Sequence, residues 1–262
     1  MTTLADRTIT ALRSLHDELA ALVPTLTDDQ LTGRSGASEW TVAQVLSHLG
    51  SGGEITLATY QAALDGAEAP GQDFNESVWD RWNAMSPQEQ AAGVTGRSAA
   101  VVEFLEALSP EQRETLQVKL GFMPFPLSIA AVAGMRLQEA ALHTWDVQVG
   151  VDTAARVNAA AADVLIEQLS GELGFMLGFA GKADALSAPA RVRIGTSDIG
   201  IVITDSVSVA SSVGDATATF HGQPESVVRL FGGRLTPAHT PSDVRVEGNV
   251  SLEDLRRVFP GY

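Results

Sequence analysis

Apolar side chains recur at Leu4, Ile9, Leu12, Leu15, Leu19 and Leu22. This three-to-four spacing places them on one face and predicts an amphipathic helix over 4–23, ended by Pro24 and the TDD stretch. A polar loop, GRSGASE, leads to Trp40. Thr41 or Ser38 then offers a side-chain cap for a second helix, TVAQVLSHLGSGGEITLATYQAAL. Gly50, Gly52 and Gly53 weaken the middle of that helix and point to a kink or a close helix approach. Residues 75–108 read as two further helical pieces, the second starting at Ser86-Pro87 with proline in the first turn. The SPEQ and FMPFP stretches within 109–126 read as a loop or short turn. A fourth long helix is predicted from about Pro126 to Gly150, which is a natural stop. The Ala-rich stretch 153–179 predicts one more helix.

After Pro189 the period changes from helical to two. RVRIG, GIVITD, SVSVA and TATFHG alternate and read as short strands; PESVVRLFGG reads as a helix, VRVEG as a strand and SLEDLRRVF as a last short helix. The fold class is therefore α+β. A helical domain spans 1–150, a helical connection over 151–188 packs on it, and a small α+β domain spans 189–262.

Composition narrows the function. The 262 residues are 45% hydrophobic and 19% charged, enough for two cores. The net charge is −15, from 32 acidic and 17 basic side chains. Residues 1–150 carry 19 acidic and 8 basic side chains, so the helical part is the more acidic. That field repels phosphate backbones and anionic lipid surfaces, so neither nucleic acid nor a membrane is an expected partner. The longest uncharged run, Leu120 to Met135, is shorter than a spanning helix needs and holds two prolines. The N-terminus lacks the apolar core of a signal peptide. The expectation is a cytoplasmic protein, monomeric or a small homo-oligomer. With no cysteine, a disulfide, a thiolate metal site and a Cys nucleophile are all excluded. Any metal must be held by His, Asp and Glu, and any thiol must come from another molecule.

One stripe carries candidate chemistry. Arg136, Glu139, His143 and Asp146 follow one another at spacings of three and four on the fourth long helix, between apolar neighbours. Charges set into an apolar helix need partners or a metal. His48, also in apolar surroundings, adds a second imidazole. Two histidines and a glutamate make a common catalytic zinc set with an open position; iron and nickel also accept it. On spacing alone the alternatives stay open: Glu139 and His143 as a solvated pair, and His48 as a satisfied core histidine. Arg136 in turn has Asp146 and Glu139 within reach as ion-pair partners. Glu54, six residues after His48, falls on another face and reads as structural. His16, His221 and His239 have no motif around them and read as non-ligands. Trp40, Trp145, Trp79 and Trp82 read as core anchors.

At these residues the chain resembles a known family. EWTVAQVLSHLG, with a Trp eight residues before its His, is similar to the second helix of the DinB-like metal-dependent bundles. MRLQEAALHTWDVQVG resembles the R-x-x-E-x-x-x-H-x-x-D helix of the mycothiol-dependent maleylpyruvate isomerase branch, and GQPESVVRLFGGR with VRVEGNVSLEDL resembles that branch's small sterol-carrier-like domain. The resemblance covers nearly the whole chain. It implies a DinB-like four-helix bundle with His48, Glu139 and His143 as ligands of a divalent metal, zinc by preference. Asp146 would orient a ligand or a metal-bound water. The open position would take the thiol of mycothiol, which adds to an electrophilic small molecule. If the thiolate leaves again after carbon–carbon rotation the enzyme is an isomerase, and if the adduct persists it is an S-transferase. The substrate's carboxylates imply cationic partners: Arg136 beside the ligands, and Arg229, Arg234 or Arg245 on the second domain, with Arg234 favoured on its GGR turn. The glycine-rich GSGGE stretch departs from a regular helix, and implies a widened pocket or a different substrate. A non-catalytic protein, with a structural or sensory metal and a small-ligand domain, is the competing reading. A metal-dependent hydrolase finds no H-E-x-x-H or G-x-S-x-G support.

Overall fold

Side-chain caps fix where the long helices begin. Thr3 caps α1 (Leu4–Leu22), Thr41 caps α3 (Val42–Leu64), Ser86 caps α5 (Pro87–Ala107) and Ser128 caps α7 (Ile129–Val149). In the first three the residue at the third helical position reaches back to the cap's own backbone N–H, closing a reciprocal box. The choice between Ser38 and Thr41 thus falls to Thr41, which accepts from Gln44 N–H. The computed structural model describes residues 2–261. It divides the chain into two compact units, with the boundary between Ala155 and Arg156.

In the first unit α3 packs along α5 and α7, and α1 packs on α5 and α7. Shorter elements fill the ends: α2 (Asp28–Thr32), α4 (Gln72–Asn83) and α6 (Pro110–Thr115). A two-residue antiparallel pair, β1 (Gln117–Val118) with β2 (Leu127–Ser128), forms where a plain loop was expected. It delays the start of α7 from Pro126 to Ile129. Leu19, Leu31, Val42, Val45, Leu46, Leu49, Val94 and Val147 form one buried cluster. Each contributes roughly 1.5–3 kcal/mol by leaving water.

The glycines of α3 record what packs on it. A Cβ at Gly50 would collide with the ring of Trp82, and one at Gly52 would stand 3.1 Å from Arg136 Nη1. At Gly53 the Arg136 Nη2 would be 3.5 Å away. The stretch is continuous helix, and its missing side chains admit an indole on one side and a guanidinium on another.

The second unit begins with α8 (Ala159–Leu169), which packs on α10 (Pro224–Phe231). Residues 156–188, expected as a connection on the bundle, therefore group with the second unit. The single helix expected over 153–179 ends at Ser170; a 3-10 turn over Glu172–Met176 and the short α9 (Leu177–Ala180) follow, because Gly171 and Gly174 interrupt it. The strands β3 (Ala190–Ile194), β4 (Gly200–Ile203), β5 (Val207–Ala210), β6 (Ala218–His221) and β7 (Arg245–Gly248) form one sheet in the order β5-β4-β3-β6-β7. In this sheet β3 and β6 run parallel, and β3–β4, β4–β5 and β6–β7 run antiparallel. The last helix is α11 (Leu252–Val258). This is the α+β arrangement that the change of period predicts. Among the described residues no helix is long and apolar enough to cross a membrane.

Candidate metal centre

Helix periodicity presents the candidate groups from two neighbouring helices. His48 comes from α3, and Glu139 and His143 come from α7, one turn apart. His48 Nε2 lies 3.0 Å from Glu139 Oε2, and His143 Nε2 lies 3.6 Å from the same oxygen. The ligand atoms of the three all fall within 4.8 Å of one another. Ligands about 2.1 Å from a tetrahedral zinc stand about 3.4 Å apart, so the set fits a divalent ion with little movement. Among the described residues no further His, Asp or Glu joins this group. Three protein ligands leave an open position, as catalytic rather than structural sites do.

Asp146 is fully buried and sits 2.8 Å from His143 Nδ1. An ionised carboxylate can only accept, so Nδ1 donates its proton to Asp146 and Nε2 is the nitrogen on the side of Glu139. This is the arrangement that orients a metal-bound imidazole. Asp146 stands behind His143 and is not one of the three groups that could hold an ion. Burial disfavours protonated His143, but the hydrogen bonds with Asp146 and Glu139 prevail and raise its pKa. Burial likewise opposes a charged Glu139, yet its hydrogen bonds with His143 and His48 hold the carboxyl well below its usual range. Glu139 is thus anionic, as a metal ligand must be.

Trp40 differs from its expected role as a core anchor. It is 38% exposed and lies against both ligand rings, with centroids 5.1 Å from His48 and 6.0 Å from His143. Position eight residues before His48, outside the helix, places it over the site rather than under it. Trp145 and Trp82 are core side chains, the first donating to Ala155 O and the second to Glu54. Trp79, by contrast, is 39% exposed.

Arg136 meets neither Asp146 nor Glu139 in an ion pair. Its Nη2 donates to Leu49 O at 2.8 Å across the glycine gap. It lines a cavity of about 360 Å³, together with His48, Glu139, Tyr60, Trp79 and Phe122. The cavity lies wholly within the first unit and reaches His48 and Glu139 of the candidate cluster. Tyr60 was missed from sequence: twelve residues after His48 it is turned about 120° around α3, so spacing carried no signal for it.

Glu54 is structural. It accepts from Trp82 Nε1 and Arg81, and Arg97 stands 3.5 Å away. Of the arginines on the second unit, Arg229 is buried and held by Glu225 through Nε at 2.7 Å and Nη2 at 3.0 Å, with a third bond to His239 O. That network occupies it fully, so it is withdrawn as a substrate partner. Arg245 pairs with Glu247. Arg234 follows α10 and donates from Nη1 to Gly232 O at 2.9 Å. His16, His221 and His239 belong to no metal-ligating group among the described residues.

The family described as mycothiol maleylpyruvate isomerase N-terminal domain matches residues 12–148. Two solved structures, of the mycothiol-dependent maleylpyruvate isomerase and of its histidine-to-alanine mutant, each match with a TM-score of 0.63 and 15% identity, over 95% of this chain and 98% of theirs. At that identity the likeness shows a shared fold. No curated protein matches by sequence.

Proposed function

The chain belongs to the mycothiol maleylpyruvate isomerase N-terminal domain family, and from that membership we propose that it is a metal-dependent enzyme that adds the thiol of mycothiol to an electrophilic small molecule. The observation that carries the reading is the three-residue cluster of His48, Glu139 and His143, open on the side of a cavity. In this proposal those three residues hold the metal, with zinc preferred for its N and O ligands. When bound, such an ion lowers the pKa of a thiol at its open position, so that a thiolate is present at neutral pH.

The chain's own groups do the rest. Asp146 keeps the Nδ1 proton of His143 in place and so keeps Nε2 turned toward Glu139. Glu139 meets His48 at 3.0 Å and so ties α3 to α7 at this level, with His143 Nε2 3.6 Å from the same oxygen. Trp40 covers the ligand rings and reduces the water around them. Arg136 supplies positive charge at the cavity wall, where it meets an anionic group of the substrate.

Return of the same thiolate after bond rotation makes the reaction an isomerisation; retention of the new carbon–sulfur bond makes it an S-transfer. The apolar cavity wall of Ile55, Trp79, Val132 and Met135 favours the second reading with another electrophile. Purified protein incubated with mycothiol tests both. Loss of thiol with a simple alkylating electrophile supports transfer, conversion of maleylpyruvate without thiol loss supports isomerisation, and neither in metal-replete protein rejects thiol chemistry.

A further inference from the structure

Two buried polar groups beside the metal-ligating cluster have less bonding than they need. Arg136 is only 8% exposed, yet among the described residues it has no carboxylate partner and donates one hydrogen bond, to Leu49 O. A guanidinium offers five N–H donors, and burying it without an anion is costly. Tyr60 is fully buried and its hydroxyl has no hydrogen-bond partner among the described residues. Burial pushes its pKa up, so it remains a donor at any physiological pH. An orphaned buried hydroxyl costs about 1–3 kcal/mol.

Both groups line the same cavity, which also reaches His48 and Glu139. The geometry of the helices orders them. On α3, His48, Gly52, Thr56 and Tyr60 recur every four residues and form one ridge. On α7, Arg136 precedes Glu139 by three residues and lies over Gly52 and Gly53. The cavity therefore runs from the metal-ligating end past Arg136 toward Tyr60. Its other walls are Ile55, Trp79, Val132, Met135 and Phe122. The one lining carboxylate, Glu139, is already shared by two imidazoles.

We propose that Arg136 and Tyr60 together receive a single carboxylate, so that the electrophile taken by this cavity is a monocarboxylate with an apolar body rather than a dicarboxylate. The guanidinium supplies charge and a planar pair of donors, and the phenol supplies a third donor. A second carboxylate on the ligand would lie against apolar side chains with nothing to pair with. The acid end rests at Arg136, and the reacting carbon points back toward the ligand cluster. The assignment names the substrate class of the thiol-addition site and rests on that reading for its catalytic meaning.

Calorimetric titration of the full-length protein with octanoate, octan-1-ol and fumarate tests it without any thiol. Octanoate is expected to bind at least tenfold more tightly than either of the others. Arg136→Met is expected to erase the preference for octanoate over octan-1-ol. Tyr60→Phe is expected to weaken octanoate roughly tenfold, the size of one hydrogen bond to a charged group. It should also leave the Tm of the free protein unchanged or higher, because it removes a hydroxyl that bonds to nothing; a merely structural tyrosine would lower Tm and leave octanoate binding alone. Equal affinity for octanoate and octan-1-ol, fumarate as tight as octanoate, or octanoate binding indifferent to Tyr60→Phe overturns the proposal. Octanoate binding in a protein that never consumes or uses mycothiol would sustain this receptor and reject the thiol reading. Thiol turnover without octanoate binding would do the reverse.

Discussion

His143 and Asp146 are joined by a 2.8 Å hydrogen bond from Nδ1 to a carboxylate that no water reaches. This bond fixes which imidazole nitrogen faces Asp146, and so leaves Nε2 on the side of Glu139.

Replacing Asp146 is therefore expected to weaken metal binding without removing a ligand. Asp146→Asn can still contact Nδ1, but no longer demands its proton. A drop in metal affinity of about 10–100-fold is expected, the usual range for partners of metal-bound histidines. Competition with a chromogenic chelator measures it. Unchanged affinity would mean that the His143 orientation is set elsewhere.

Gly50 is expected to be intolerant for a reason unrelated to chemistry. Any Cβ there runs into the Trp82 ring, which is itself buried. Gly50→Ala should cost about 1–3 kcal/mol of stability by overpacking. Gly52→Ala meets the end of a flexible side chain, Arg136 Nη1 at 3.1 Å, and should be much milder. Urea denaturation of the two variants compares them directly, and equal losses would contradict the assignment of the two gaps.

Glu54 gives a pH signature. Burial opposes its charge, but hydrogen bonds from Trp82 and Arg81 and the nearby Arg97 outweigh that and lower its pKa below 4.5. A carboxyl with a lowered folded-state pKa stabilises the fold above its unfolded value and loses that contribution as pH falls through the folded one. Glu54→Gln should thus cost about 1–2 kcal/mol at pH 7. The gap between variant and wild type should close steadily below pH 4.5. Denaturant titrations at a series of pH values follow it; a gap that is constant with pH would show that packing, not charge, sets the loss.

The long helices α1, α3 and α5, the period change after Pro189 and the spacing of Arg136, Glu139, His143 and Asp146 could all be read from sequence because each is local. What meets across the bundle could not. The sequence places Arg136 within reach of Asp146 and Glu139, but only the packing of α7 on α3 shows it lying over Gly52 and bonding to Leu49 O. Trp40 and Trp79 read as core by type, and lie at the surface because one precedes α3 and the other faces the cavity on α4. Arg229 pairs with Glu225 four residues back on the same helix, a local spacing that was legible in the sequence; what was not is the bond from its Nη1 to His239 O. The extent of the domain boundary was hidden for the same reason: α8 is amphipathic, and periodicity does not say which neighbour it covers.

Metal content is the most direct measure of the central claim. Full-length wild type, His48→Ala and Glu139→Gln are purified in the presence of zinc, dialysed and assayed by atomic emission, with circular dichroism to establish that each is folded. Close to one metal ion per wild-type chain, and a near-complete loss in both folded variants, is the expected result. A wild type without bound metal, or folded variants that retain it, would contradict a centre built from His48, Glu139 and His143.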